Sequence, residues 1–291
     1  KLEGDTGAQL WTAPKDPING PAAVKWDLGY GAIAALAFQE YFDRYQTGHA
    51  INSHTPGSPE LDKLIKAIYS TSDVEKQKTA FMALQRYENE DLFTIPLYYQ
   101  QLFIFENNRL NRNGGSYGNA QFNYDWNIVD WTVTPDKNGK QVFYTNTGAF
   151  NFVRTPWTNP GLWITSKVLF DRLIVADGSL TPKYPGMAKF YSLSNDGMTL
   201  TIELMDGLKW HDGTSLTADE IRWNVEFGLG VPTLFSIFRS TFESLQGAKA
   251  FTEGKTNHIS GIAVNGNTIT FKFEKLDPNV LLTFSQWAPL P

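Results

Sequence analysis

Between Ser194 and Phe227 three different patterns follow one another, and together they require a fold that mixes strands with helices. SNDG (194–197) is a turn. MTLTIEL (198–204) alternates, with Leu200, Ile202 and Leu204 on one face, which predicts a half-buried strand. Thr217-Ala218-Asp219-Glu220 then reads as a capping box. The Thr217 hydroxyl can accept from the third helical amide while Glu220 reaches back, so a helix should run from there through Ile221, Trp223, Val225 and Phe227. Further on, GIAV (261–264), NGN (265–267) and TITFKF (268–273) predict a hairpin, with Asn265-Gly266 supplying the positive φ angles of a tight turn.

The first third reads as helices among loops. TAPKDPINGPA (12–22) and SHTPGSP (53–59) are rich in Pro and Gly and predict loops. Leu61, Leu64, Ile65 and Ile68 form the stripe of an amphipathic helix over Glu60 to Tyr69. Ser72 and Asp73 offer a cap for a second helix, Val74 to Glu90, with Phe81, Leu84 and Tyr87 or Glu88 on one face. Ile95 to Phe105 (IPLYYQQLFIF) reads as a buried strand pair, or a strand and a loop. NNRLNRNGGSYGN (107–119) is polar and turn-rich, and TPDKNGK (134–140) is a second such stretch, after which QVFYTNTGAF begins a new strand pattern.

Composition narrows the function. The chain has 291 residues, 42% of them hydrophobic, enough for a substantial core. Net charge is −5, so no basic surface is available to neutralise phosphates, and nucleic acid is not expected as a partner. Absence of cysteine removes disulfides, thiolate metal sites and cysteine nucleophiles together. The longest apolar run, Tyr30 to Phe38, is far short of the ~20 residues that span a bilayer.

Motifs for catalysis are missing where sequence could show them. There is no G-x-S-x-G elbow, no H-E-x-x-H, no P-loop, and no pair among His49, His54, His211 and His258 at the spacing of one helical turn. His211-Asp212 sits on a tight turn, where adjacent side chains rarely face each other, so a structural role is expected. Spacing in sequence does not reveal whether two carboxylates are paired in space, and 9 Trp with 12 Tyr would suit sugar stacking. A carbohydrate-active enzyme or carbohydrate-binding module with an aromatic-lined cleft is therefore the alternative class. No cofactor and no metal site are expected.

One segment is specific. In MAKFYSLSNDGMTLTIELMDGLKWHDGTSLTADEI (187–221), Asp196-Gly197, Leu204, Gly207, Lys209-Trp210-His211-Asp212-Gly213 and Leu216-Thr217-Ala218-Asp219 resemble the signature of the family 5 extracellular solute-binding proteins. These are the dipeptide- and oligopeptide-binding components of ABC importers. Met205-Asp206 and Lys189-Phe190-Tyr191 depart from that signature. Residues 58–105 resemble the closing pattern of the same family, through Leu61-Asp62-Lys63-Leu64, Gln85, Glu90-Asp91 and Ile95-Pro96-Leu97-Tyr98-Tyr99. The order is thus inverted relative to the family, as in a permuted or rearranged chain, and much of the second lobe has no counterpart.

The resemblance implies an α/β fold with two lobes of the type II periplasmic-binding-protein kind, one nearly complete and one partial. Residues 1–112 would be the late part of lobe II, 113–141 the return strand to lobe I and a junction, and 142–291 the main part of lobe I. The junction at 132–141 should be exposed, mobile and free of core contacts, and Trp210 should be well buried between the 198–204 strand and the helix that Thr217 opens. The implied function is an extracytoplasmic receptor, periplasmic or lipid-anchored at the cell surface of a Gram-positive source. It would bind a peptide or oligosaccharide in a cleft, without catalysis, and hand it to a membrane ABC permease. A complementary fragment of the same parent is a further expected partner. Expected ligand contacts are Phe150, Asn151, Phe152 and Trp157 in the loop after the first lobe I strand, Trp287 near the crossover, and Tyr30 and Trp26 in the remnant lobe.

Overall fold

The structure, a computed structural model, describes residues 45–47, 58–71, 73–91, 95, 97, 103–118, 123–145, 157, 164–231 and 238–291. The chain divides into two compact units, Lys1–Tyr99 and Gln100–Pro291. This division falls earlier than the expected boundary at residue 112, because the 103–118 segment hydrogen-bonds forward into the second unit.

In the first unit, helices α1 (Pro59–Ile68) and α2 (Val74–Asp91) pack against each other. Ser58 caps α1 by accepting from the Leu61 amide at 3.0 Å, and Pro59 occupies the first turn, where its missing N–H costs nothing. Asp73 caps α2 through the Lys76 amide at 3.0 Å. The predicted stripe is the buried one: Leu61, Ile65 and Ile68 pack with Leu84 and Tyr45, while Leu64, Phe81 and Tyr87 close the edges. The expectation for Ile95 to Phe105 fails for the residues described. Ile95, Leu97, Phe103 and Phe105 lie outside any strand and are exposed. β-branched and aromatic composition makes a strand only where a partner edge is available.

The second unit is mixed α and β. Strands β1 (Leu110–Asn111) and β2 (Thr132–Val133) pair antiparallel, and a 3₁₀ turn, Ile128–Asp130, lies between them. The expected return strand is thus only two residues long. Helix α3 (Ile164–Leu169) precedes a hairpin of β3 (Ile174–Ala176) and β4 (Pro182–Pro185). The main sheet has β5 (Ala188–Leu193), β6 (Thr199–Leu204), β7 (Ile262–Asn265) and β8 (Thr268–Lys272) in the order β5-β6-β8-β7, all antiparallel. Helices α4 (Ala218–Gly230), α5 (Arg239–Glu243), α6 (Ala248–Thr252) and α7 (Val280–Gln286) complete it.

The alternation in β6 does what the sequence requires: Leu200, Ile202 and Leu204 are buried, with Ile269 and Phe271 of β8 beside them. Phe284 of α7 joins this layer, its ring 4.7 Å from Phe271 and 5.5 Å from Phe242. The β7–β8 turn is made by Gly266-Asn267, and of these two only Gly266 has positive φ, at 58°. Asn265 is instead the last residue of β7, which corrects the expected turn by one position. Asn267 is better used facing β6: its carbonyl accepts from Leu204 and its side chain donates to Asp206 at 2.8 Å.

The capping box at Thr217 and Glu220 is complete, with both reciprocal bonds present. Trp210 differs from expectation. It is half-buried at the edge of the core, because its indole N–H is drawn to Glu220 Oε1 at 3.0 Å. Asp212 is occupied by the turn, accepting from the Thr214 amide at 2.9 Å and hydroxyl at 2.6 Å. His211, Asp212 and Gly213 are exposed, so the W-H-D-G stretch is a turn that carries the chain to its helix cap.

The 134–140 stretch is exposed, apart from a half-buried Asp136, and irregular. It is nonetheless tethered. Asp136 accepts from the Asn138 and Lys140 amides, and Arg109 donates to the carbonyls of Thr134 at 2.8 Å and Lys140 at 3.1 Å. The described start of the QVFYTNTGAF pattern, residues 141–145, is neither strand nor buried.

Phe284 is where sheet and helices meet, and Phe284→Ala should destabilise the chain by about 3–5 kcal/mol. Denaturant unfolding followed by fluorescence checks this, and a loss below about 1 kcal/mol would contradict the central place given to this ring.

Candidate ligand-anchoring site

Three ionisable side chains are buried beside the β3–β4 hairpin: Asp125, Lys167 and Arg172. Each is placed by backbone that has little freedom. Asp125 lies in the turn before the 3₁₀ segment, and its carbonyl accepts from Ile128 at 3.0 Å. Asn123 fastens that turn to the end of β3, donating to the carbonyls of Ala176 and Asp177. Asn127 fastens it to the segment before it, donating to the Arg112 carbonyl at 2.8 Å and accepting from the Trp131 indole at 2.8 Å. Trp126 stacks on Tyr184 of β4, ring centres 5.0 Å apart, and donates to the Ser116 carbonyl.

Lys167 comes from the last turn of α3, and its ammonium is paired with Asp125 Oδ1. Both side chains are 2% exposed. Burial pulls the Lys167 pKa down to about 8, against the opposing pull of the Asp125 charge and hydrogen bond. Arg172 follows α3 directly, and its carbonyl accepts from the Met187 amide at 2.8 Å. Its guanidinium is pulled down to about 10 by burial, against the attraction of Asp125 and Asp171. It stays protonated at neutral pH. Its Nε is buried without any hydrogen-bond acceptor. Among the described residues the cluster therefore brings Lys167, Arg172 and Asp125 together out of water.

Two other buried carboxylates are employed in structure, while the buried Trp287 indole N–H, like Arg172 Nε, has no hydrogen-bond partner. Glu226 of α4 accepts from the Ile259 amide at 2.9 Å and faces His258 Nδ1 at 3.1 Å, joining α4 to the approach to β7. Asp277 accepts from the Thr241 hydroxyl and the Asn279 amide, and burial raises its pKa. Among the described residues no three His, Cys, Asp or Glu gather as metal ligands. Nor is any described helix long and apolar enough to cross a membrane.

Of the ligand contacts expected from sequence, Phe150, Asn151, Phe152, Tyr30 and Trp26 lie outside the described residues. Trp157 and Trp287 are placed in the core. Trp157 is 2% exposed and donates its indole N–H to the Ala288 carbonyl at 2.7 Å. Trp287 is fully buried, edge-on to Phe242 at 5.5 Å. Large indoles are as readily used for packing as for lining a cleft, and here both are taken up by the packing around α7. Sequence reading passed over Asp125, Lys167 and Arg172. The available signal was single charges set among apolar residues, in NYDWNIVDW (123–131) and TSKVLFDRLIV (165–175).

Removing the Asp125 charge should take from Lys167 the carboxylate with which it is paired. Asp125→Asn should cost about 3–5 kcal/mol, and the Lys167 titration midpoint should fall below about 8, because Asp125 is what raises it. In the parent chain the folded-state value of Lys167 lies below its ordinary 10.5. The unfolded chain then binds more protons between these values, so this group makes stability rise as pH climbs from about 8 towards 10.5. Urea unfolding at pH 7 and 9.5, with NMR titration of the Lys167 ammonium, checks both. A variant within 1 kcal/mol of the parent, or a Lys167 midpoint near 10.5, would refute the assignment.

Comparison with known proteins places this site just ahead of a matching segment. Residues 183–291 match the family model "Bacterial extracellular solute-binding proteins, family 5 Middle". A probable peptide ABC transporter periplasmic-binding protein of Sinorhizobium fredii is 40% identical over 73 residues, covering 23% of this chain and 13% of that protein. Among solved structures, a periplasmic oligopeptide-binding protein of Borrelia burgdorferi superposes with a TM-score of 0.37 at 29% identity, over 42% of this chain and 25% of that one. The murein tripeptide binding protein MppA of Escherichia coli gives 0.35 at 23% identity, over 44% and 26%. The chain thus spans 13% of the curated relative and about a quarter of the solved ones. Residues 183–291, which run from β4 through α7, are the part of the chain that is similar to the family 5 extracellular solute-binding proteins.

Proposed function

We propose that this chain is part of an extracytoplasmic solute receptor that binds a peptide without chemistry and presents it to a membrane ABC permease. The observation that carries this reading is the family match over residues 183–291. It is supported by the 40% identity to a curated protein named for peptide transport. The turn-rich W-H-D-G stretch and the occupied state of Asp212 also favour binding over catalysis, since the most conspicuous His–Asp pair of the sequence is spent on a turn.

In this reading residues 142–291 are the main part of the first lobe, 113–141 the segment returning to it, and 1–112 a late portion of the second lobe. The α1–α2 pair, with its Leu61-Asp62-Lys63-Leu64 start, supports the last assignment. Lipid anchoring in a Gram-positive source, and association with a complementary fragment of the same parent, belong to the same proposal. A receptor of this kind buries most of its ligand between two lobes, so a chain carrying a fraction of the relatives' length should bind with reduced affinity.

A thermal-shift series with trialanine and with cellobiose tests it. Ligand binding to the folded state raises the melting temperature in proportion to ln(1 + [L]/Kd). We expect a saturable rise with millimolar trialanine, none with cellobiose, and trialanine recovered uncut. A response to cellobiose alone, or hydrolysis of either compound, would overturn the reading.

A further inference from the structure

We propose that Asn265 is a site of self-modification: its side-chain amide is lost to attack by the Gly266 nitrogen, which leaves aspartate or isoaspartate at the tip of the β7–β8 hairpin. Asn-Gly is the dipeptide in which this reaction is least hindered, because glycine sets no side chain beside the attacking nitrogen and restricts its own backbone least. The described residues contain three such pairs, Asn113-Gly114, Asn138-Gly139 and Asn265-Gly266. A fourth, Asn19-Gly20, lies outside them. The three are alike in sequence, and the fold sets them apart.

Room does not separate them. No heavy atom stands within 4 Å of where a Cβ would lie on Gly114, Gly139 or Gly266, and all six residues are exposed. Hydrogen bonding does. The Asn113 side-chain amide donates to the Asp130 carbonyl, so the group that has to leave is held. At the second pair the attacking nitrogen itself is engaged: the Gly139 N–H donates to the Asp136 carbonyl at 2.9 Å, and the Asn138 N–H donates to Asp136 Oδ1 at 2.8 Å. At the third pair neither reacting group is held. Among the described residues no hydrogen bond reaches the Asn265 side chain or the Gly266 N–H. Pairing with Thr268 fixes the Asn265 main chain alone. Attack requires the side chain and the following peptide to swing together, and a hairpin tip is where such local opening takes least free energy.

The chemistry needs only water. The Gly266 nitrogen bonds to Asn265 Cγ, the Cγ–Nδ2 bond breaks, and ammonia leaves with the proton that Gly266 has given up. The product is a five-membered imide. Water then opens it at either carbonyl. Cleavage at Cγ gives aspartate; cleavage at the main-chain carbonyl gives isoaspartate, in which the backbone runs through the former side chain. Either product carries a negative charge where a neutral amide stood.

This tip is also where the hairpin is tied to β6. Leu204 donates its N–H to the Asn267 carbonyl at 2.9 Å, and the Asn267 side chain donates to Asp206 Oδ1 at 2.8 Å. Isoaspartate lengthens the main chain just ahead of Asn267 and displaces both groups. The new carboxylate also enters a tip that already holds Asp206. Modification therefore frees the tip from β6, while the buried Ile269 and Phe271 keep the rest of the hairpin in place.

The inference holds whatever the chain binds, and its test is separate. The full chain is kept in mildly alkaline buffer. Digestion and fragment-ion mass spectrometry follow each Asn, and enzymatic methylation counts isoaspartate. Asn265 should convert about fivefold faster than Asn113 or Asn138, the factor imposed by breaking one ordinary hydrogen bond before attack. In urea that unfolds the chain the three rates should converge, because the hydrogen bonds that separate them are gone. Equal rates in the folded chain, or faster conversion at Asn113 or Asn138, would overturn the proposal, as would a ranking that persists unchanged in urea. Hydrogen exchange of the Leu204 amide is the second readout. It should quicken as isoaspartate accumulates, and stay constant in Asn265→Gln aged alongside, whose longer side chain closes the ring less readily. Unchanged Leu204 exchange in the converted chain would refute the release of the tip.

Discussion

The second unit depends on one aromatic junction. Phe284 of α7 sits against Phe271 of β8 on one side and Phe242 of α5 on the other, and Trp287 closes the group edge-on. Offset and edge-to-face contacts of this kind add to the ordinary gain from burying rings. Their larger effect is geometric. They lock a four-stranded sheet, buried on one face only, to helices that are each too short to hold a position alone. α5 and α6 have five residues and α7 has seven, well below the length at which a helix persists in water.

The charge cluster is reached from that junction through β3. Helix α7 packs against the β3–β4 hairpin, and the hairpin in turn receives Asn123 from the Asp125 turn and backs the Arg172 main chain. Close packing means that the position of two cations and one anion is set by the apolar layer beneath them. A protein interior accommodates such a set only where its members are matched. Arg172 Nε, buried without an acceptor, is the point where that matching is incomplete.

Much of this was legible in the sequence. The alternation of Leu200, Ile202 and Leu204, the Thr217–Glu220 box and the Leu61–Ile68 stripe are local patterns, and local patterns survive into the fold when tertiary packing agrees with them. The failures are equally physical. IPLYYQQLFIF has the composition of a strand, but its described residues, Ile95, Leu97 and Phe103 to Phe105, are in none, since a strand needs an edge to pair with. Trp210 was expected in the core, and its indole is held at the rim by a carboxylate ten residues away. Trp157 and Trp287 were expected to face a ligand, but an indole does not announce from sequence whether its faces meet solute or neighbouring side chains. The cluster of Asp125, Lys167 and Arg172 joins residues 42 and more positions apart, and no spacing rule reaches that far.

The claim beneath all of this is that sheet and helices of the second unit form a single cooperative body joined at Phe284. Native-state hydrogen exchange tests it directly. The amides of Ile202 in β6, Phe271 in β8 and Phe284 in α7 should exchange with one common free energy, equal to that of global unfolding, and should lose protection together in Phe284→Ala. Exchange of the β7–β8 hairpin at a much lower free energy than α7, with unchanged protection in the variant, would contradict the account.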